Sequence, residues 1–120
     1  MNAPTPTTLV LGADIAAREA AIAARLPRDV PTAIILEGIP TGGSPLDEAM
    51  PSLHVARIAP ACLCCTGNLT LRVTLNRLLR QRPQRLFISL ANAEHLERLR
   101  AFLAAPPYDA LLVLTQDLHA

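Results

Sequence analysis

The sequence has no lysine; all eleven of its basic residues are arginine. That absence removes the ammonium group that grips nucleotide phosphates and the amine that forms Schiff bases. Tryptophan is also missing and aromatics make up 2% of the chain. A core must then be packed from Leu, Ile, Val and Ala, and a basic surface has few rings on which nucleic-acid bases could stack. No apolar run reaches the eighteen residues that a membrane-spanning helix needs. The opening "MNAPTPTT" lacks the charge and apolar stretch of a secretory signal, so a cytoplasmic location is expected. Net charge is +1, which argues against a general polyanion binder. Neither nucleic acid nor membrane is therefore expected as a partner.

Apolar residues make up 51% of 120 positions, enough for one domain, spanning residues 1–120, that buries roughly two thirds of its unfolded surface. Eleven prolines punctuate the chain. Between them the hydrophobic period alternates between that of strand and that of helix. "TTLVL" (7–11) reads as a strand ending at Gly12; Asp14 then caps a helix with Ile15, Ile22 and Leu26 on one face, closed by Pro27. "TAIIL" (32–36) is an apolar strand followed by a breaker-rich loop over 37–51, and "LHVARI" (53–58) alternates as a half-covered strand. Leu71, Leu75, Leu78 and Leu79 give a second helix, "RLFISL" (85–90) a strand, and Asn92 caps a third helix carrying Leu96, Leu99 and Leu103 inward. "DALLVLT" (109–115) reads as a last strand buried on both faces. The order βαββαβαβ predicts an α/β fold of three layers, a mostly parallel sheet of about five strands with helices on both faces.

The only cysteines, Cys62, Cys64 and Cys65, fall within "ACLCCTGN" (61–68), between the end of a strand and the start of a helix. Open α/β sheets place ligand sites there, and a helix start capped by Thr66 or Asn68 favours thiolate. Three thiolates in Cys-x-Cys-Cys can converge on one soft cation, with His54, His95, His119, water or a second chain in the fourth place. A reactive or redox thiol and plain packing are the alternatives. The unbroken Cys-x-x-Cys of thioredoxin-type proteins is absent, because Cys64 interrupts it.

Between the first strand and helix, counting a phosphate-binding loop G-x-x-x-x-G-K-[ST] from Gly12 puts Ala17, Arg18 and Glu19 at the last three places. The position is right and the chemistry is not: Arg18 keeps a charge, but Glu19 sets a carboxylate where a metal-ligating hydroxyl is needed. With this loop, the Gly-rich segment after the second strand, and "CLCCTGNLTLRVTLNRLLRQRPQRLFISLAN", the chain resembles the G domain of CobW-type GTPases, metallochaperones related to the UreG and HypB proteins. The resemblance covers residues 7–120 loosely and the Cys-x-Cys-Cys, helix and strand more closely.

This resemblance implies a P-loop-NTPase-like fold and a zinc-type ion on Cys62, Cys64 and Cys65. It also implies a role for Glu37 in the mobile loop after the second strand, against the reading of a solvated loop carboxylate. The departures remove the rest. "SLAN" stands where the family carries an acidic residue and a Gly-containing turn, the Asn-Lys-x-Asp guanine signature cannot exist without lysine, and the family's C-terminal domain is expected to be absent. GTP with Mg²⁺ is therefore not expected as a cofactor, and no catalytic residue is assigned.

His54, on the strand leading to the cysteines, is the best histidine candidate for the metal. His95 sits in a helix cap, and His119 in a tail expected to fray. Arg72, Arg77, Arg80, Arg82 and Arg85 form the one basic concentration, read as a solvated helix face. The function expected from the sequence is metal binding, storage or delivery to a client protein. A thiol oxidoreductase or a pseudo-GTPase interaction module, including a homodimer through the Ala-rich first helix, are the other readings.

Overall fold

The computed structural model describes residues 3–27, 30–38, 42–47, 52–58, 69–90 and 96–120. Six strands are β1 Thr5–Leu11, β2 Thr32–Glu37, β3 Leu53–Ile58, β4 Arg85–Leu90, β5 Leu112–Leu114 and β6 Leu118–His119. Among the described residues the helices are α1 Ile15–Ala23, α2 Leu69–Leu79, α3 Leu96–Leu103 and α4 Tyr108–Leu111, with a 3₁₀ turn at Pro45–Asp47. The strands lie in the order β3-β2-β4-β1-β5, with β6 also on β1, and every pairing among them is parallel. This is the three-layer α/β architecture expected from the order of elements.

Strand composition follows position in the sheet. β2 lies between β3 and β4 and is buried at all six residues, as a strand covered on both faces requires. Pro6 lacks an N–H, and pairing of β1 with β4 starts one residue later, at Thr7. On one face Leu9, Ile35, Leu86 and Ile88 pack with Leu71, Leu75, Leu99 and Leu103 of α2 and α3. On the other, Val10, Ile34, Leu36 and Phe87 meet Ile22 of α1 and Leu46 of the 3₁₀ turn.

The direction of the crossovers locates the crevice. From β1 the chain crosses β4 by way of α1 to reach β2; from β3 it returns over β2 by way of α2, on the opposite face. Crossovers of one hand running in opposite directions must use opposite faces. From β4 the chain then goes over β1 to β5. Chain direction thus diverges between β1 and β4, and in such sheets the crevice beyond the carboxyl ends of those two strands is the default ligand site.

The last strand differs from the sequence expectation. Residues 108–111 form a helical turn, and β5 covers only Leu112–Leu114. Tyr108 anchors that turn: it is buried, its ring centroid lies 5.2 Å from that of Phe102, and its hydroxyl is 2.6 Å from Asn76 Oδ1. β5 is an edge strand beside β1 alone, so Val113 stays 49% exposed although its neighbours in sequence are all apolar. Composition reports apolar content but not which strand ends up at an edge. The cap residue Asn92 lies outside the described residues. No helix among the described residues is long and apolar enough to cross a membrane.

Candidate functional site at the carboxyl ends of the strands

Gly12, Ala13 and Asp14 alone separate β1 from α1. The Asp14 carboxylate caps the helix, accepting from Ala16 N at 3.0 Å. So short a turn makes no wide loop of amides around a phosphate, and it sets a negative charge at the helix start. A Cβ on Gly12 would lie 3.1 Å from the Ala120 carbonyl oxygen and 3.3 Å from Arg18 Cγ, so the tight approach requires glycine.

Arg18 fills the crevice between β1 and β4. Its side chain is 1% exposed, and it lies on the inward stripe of α1. Nε donates to Ser89 Oγ at 2.7 Å, Nη1 to the Gly12 carbonyl at 2.6 Å and Nη2 to the Glu37 carbonyl at 3.3 Å. Burial lowers the guanidinium's pKa from its ordinary value, and Glu37, Glu19 and Asp14 oppose that shift. Asp14, Glu19 and Glu37 outnumber Arg18 and Arg57 at this edge, so a triphosphate placed here would meet net negative charge.

Glu19 is equally buried and is held by Arg57 of β3 through two bonds, Nη1 to Oε2 at 2.9 Å and Nη2 to Oε1 at 3.0 Å. Arg57 Nη1 also donates to the Gly38 carbonyl at 3.2 Å, and Gly38 N donates to the Ile58 carbonyl at 2.9 Å. Gly38 takes φ +86°, in the left-handed region, which suits glycine, and thereby closes the end of β2 onto the end of β3. The hinge between these two strands is therefore a bonded unit rather than an open loop.

The structure separates the candidates named from sequence. Cys62, Cys64, Cys65 and His95 lie outside the described residues. The cysteine segment leaves β3 after Ile58, which pairs with Glu37. Glu37 is the last residue of β2 and 7% exposed, so it is a buried strand-end carboxylate and neither a loop residue nor a solvated one. His54 sits four residues before Ile58 on β3, about 13 Å toward the other end of the strand. His119 does not fray: it belongs to β6, paired with Leu11, and Ala120 N donates to the Leu11 carbonyl at 2.7 Å. It stands four strand spacings from β3, about 19 Å across the sheet. Among the described residues no group of three or more His, Cys, Asp or Glu could hold a metal ion.

Arg57 and Ser89 are the members of this site that sequence reading passed over or assigned no bond. The strand period offered a signal, since Arg57 shares parity with Leu53, which packs on the α1 face. Ala17, half-buried, precedes Arg18 on the helix and touches none of these bonds. Compared with family models, curated proteins and solved structures, the chain matches none.

Proposed function

We propose that this chain is a soft-metal binding module, similar to the G domain of CobW-type metallochaperones, which holds a zinc-type ion through Cys62, Cys64 and Cys65 and does not hydrolyse GTP. One observation carries the reading: Arg18, at the position of the phosphate-gripping lysine, is buried and bonded to the protein's own Ser89, Gly12 and Glu37. With the crevice filled by the chain's own side chain, nucleotide binding there is disfavoured, and the reading rests on the ligand chemistry of the Cys-x-Cys-Cys sequence.

Three thiolates form a soft donor set that suits zinc, and a carboxylate or water oxygen suits the fourth place. Glu37, paired in register with the residue from which the cysteine segment departs, supports the carboxylate option. A site with an exchangeable fourth position suits an ion that is cargo, passed to a client protein, in a reducing cytoplasm that keeps the thiols free. Elemental analysis of reduced protein purified without chelator tests this. The expected result is about one zinc-type ion per chain; metal-free protein that instead forms a disulfide with a thiol substrate would assign the cluster to redox chemistry.

A further inference from the structure

At the end of the sheet opposite the Gly12 crevice, the start of β1, the close of α2 and the end of α4 border a cleft of about 620 Å³, lined by Pro4, Pro6, Leu79, Arg82, Pro83 and Leu111, among others. Thr5 opens β1 and Gly12 follows its end, about 23 Å away along the strand, so the two sites are separate. The volume is that of a small-molecule pocket. Its walls are already tied to one another. Thr5 Oγ1 donates to the Pro83 carbonyl at 3.0 Å, and Thr5 pairs in register with Leu112, the residue after Leu111. Tyr108, which opens α4, has its hydroxyl 2.6 Å from Asn76 Oδ1 on α2.

Arg82 is the costly member of this wall. α2 ends in tightened turns, with Gln81 N donating to the Leu78 carbonyl and Arg82 N to the Leu79 carbonyl, both at 3.0 Å, and Arg82 then takes φ +53° ahead of Pro83. Glycine is the default residue at such a helix end, because a Cβ is crowded in the left-handed region; the other described residues at positive φ are all glycines. Arginine therefore costs stability here, and nothing within the described residues offsets it: the side chain is exposed and makes no hydrogen bond or ion pair among them. Backbone strain of this kind gathers where a side chain serves a ligand. No acidic residue lines the cleft, and the Leu78 and Leu79 carbonyls are taken, so Arg82 faces it as an uncompensated cation. Beside it Leu111 is left 45% exposed. A lone guanidinium next to an apolar wall matches a ligand that carries an anionic head on an apolar body.

We propose that this cleft binds a monocarboxylate with an apolar body, the hydrocarbon lying on Pro4, Pro6, Leu79 and Leu111 and the carboxylate accepting from the Arg82 guanidinium. Removal of the apolar wall from water drives association, and the planar fork of the guanidinium fixes the head through charge-assisted hydrogen bonds. A cationic head on the same body would meet like charge, and a short acid would bring the head without the apolar area.

The test titrates octanoate, octylammonium and acetate, at matched ionic strength and neutral pH, into reduced, ¹⁵N-labelled full-length chain, read by amide chemical shifts. Octanoate should bind saturably and move the amides of Leu79, Arg82 and Leu111, with acetate and octylammonium about tenfold weaker or worse. Arg82→Gln should cut octanoate affinity about tenfold, the loss of one charge-assisted hydrogen bond. Arg80→Gln, an exposed arginine nearby that does not line the cleft, should leave it unchanged. Arg82→Gly removes the head contact and relieves the backbone, so it should lose the same affinity while melting at or above the wild-type temperature, which separates lost binding from lost folding. No saturable octanoate binding by wild type, acetate or octylammonium binding as tightly as octanoate, wild-type affinity in Arg82→Gln or Arg82→Gly, or an equal loss in Arg80→Gln would each overturn the proposal.

Discussion

Glu19 of α1 and Arg57 of β3 are joined by two parallel hydrogen bonds, 2.9 and 3.0 Å long, with the Glu19 carboxylate wholly buried. The pair ties the first helix to the edge strand from which the cysteine segment departs. Charged groups in such a place depend on one another: the desolvation of Glu19 is offset only while the Arg57 fork faces it.

Arg57→Ala should therefore destabilise the protein by about 3–5 kcal/mol in urea unfolding, because it strands a buried carboxylate. Replacing both residues by Met should restore most of that loss, since apolar packing is a near-equal substitute for a buried pair. A cost below about 1 kcal/mol for Arg57→Ala would show that water reaches Glu19.

Rebuilding the phosphate-loop letters should not create a nucleotide site. The triple variant Ala17→Gly, Arg18→Lys, Glu19→Thr supplies the missing side chains but keeps the three-residue turn and the Asp14 cap, whose carboxylate occupies the helix start. Calorimetry with GTP and Mg²⁺ is expected to show no micromolar binding in wild type or variant. Micromolar affinity in the variant would mean that side-chain identity alone, and not the turn, is what the site lacks.

The fold was legible where period and punctuation agree. β3 and β4 match their sequence boundaries at residues 53–58 and 85–90, since each is an uninterrupted apolar or alternating run between breakers. The candidate site was legible only in part. Arg18 and Glu19 fall on the same helical stripe as Ile15 and Ile22, three and four residues from each, so the pattern itself turned them inward. What no local pattern carries is the partner: Ser89 and Arg57 meet them across 71 and 38 residues of chain. The same limit hid Tyr108, whose contacts with Asn76 and Phe102 convert the start of an apparent strand into a helical turn.

Tyr108 also sets an alkaline limit. Burial raises its phenol above the usual value of 10.0, and nearby Arg72 and the bond to Asn76 only partly oppose this. The unfolded chain then loses the phenolic proton first, so stability is full below about pH 10 and falls as pH rises through the folded pKa. Denaturant midpoints measured from pH 8 to 11 should show that decline, and Tyr108→Phe should flatten it. A Tyr108→Phe profile as steep as wild type would place the alkaline sensitivity elsewhere.

Metal removal should leave the fold standing. Among the described residues, two apolar clusters sandwich the sheet, built from residues such as Leu9, Ile35, Leu71 and Leu75 on one side and Val10, Ile34 and Phe87 on the other. Chelator should change the melting temperature by a few degrees and leave far-UV circular dichroism intact. Loss of secondary structure would make the ion structural, contrary to a delivery role.

Zinc titration of the reduced protein against a competing chelator, run on wild type and on Cys62→Ser, Cys64→Ser and Cys65→Ser, decides whether the three thiols act as one metal site. A hydroxyl replaces a thiolate poorly, so each substitution should cut zinc affinity sharply and by a similar factor, with proton release on binding near neutral pH. A redox pair would instead make the positions unequal, one cysteine attacking and another resolving. Zinc binding by wild type with comparable losses in all three variants is the expected result; unchanged affinity in two of the three, or no zinc binding by the reduced wild-type protein, would contradict it.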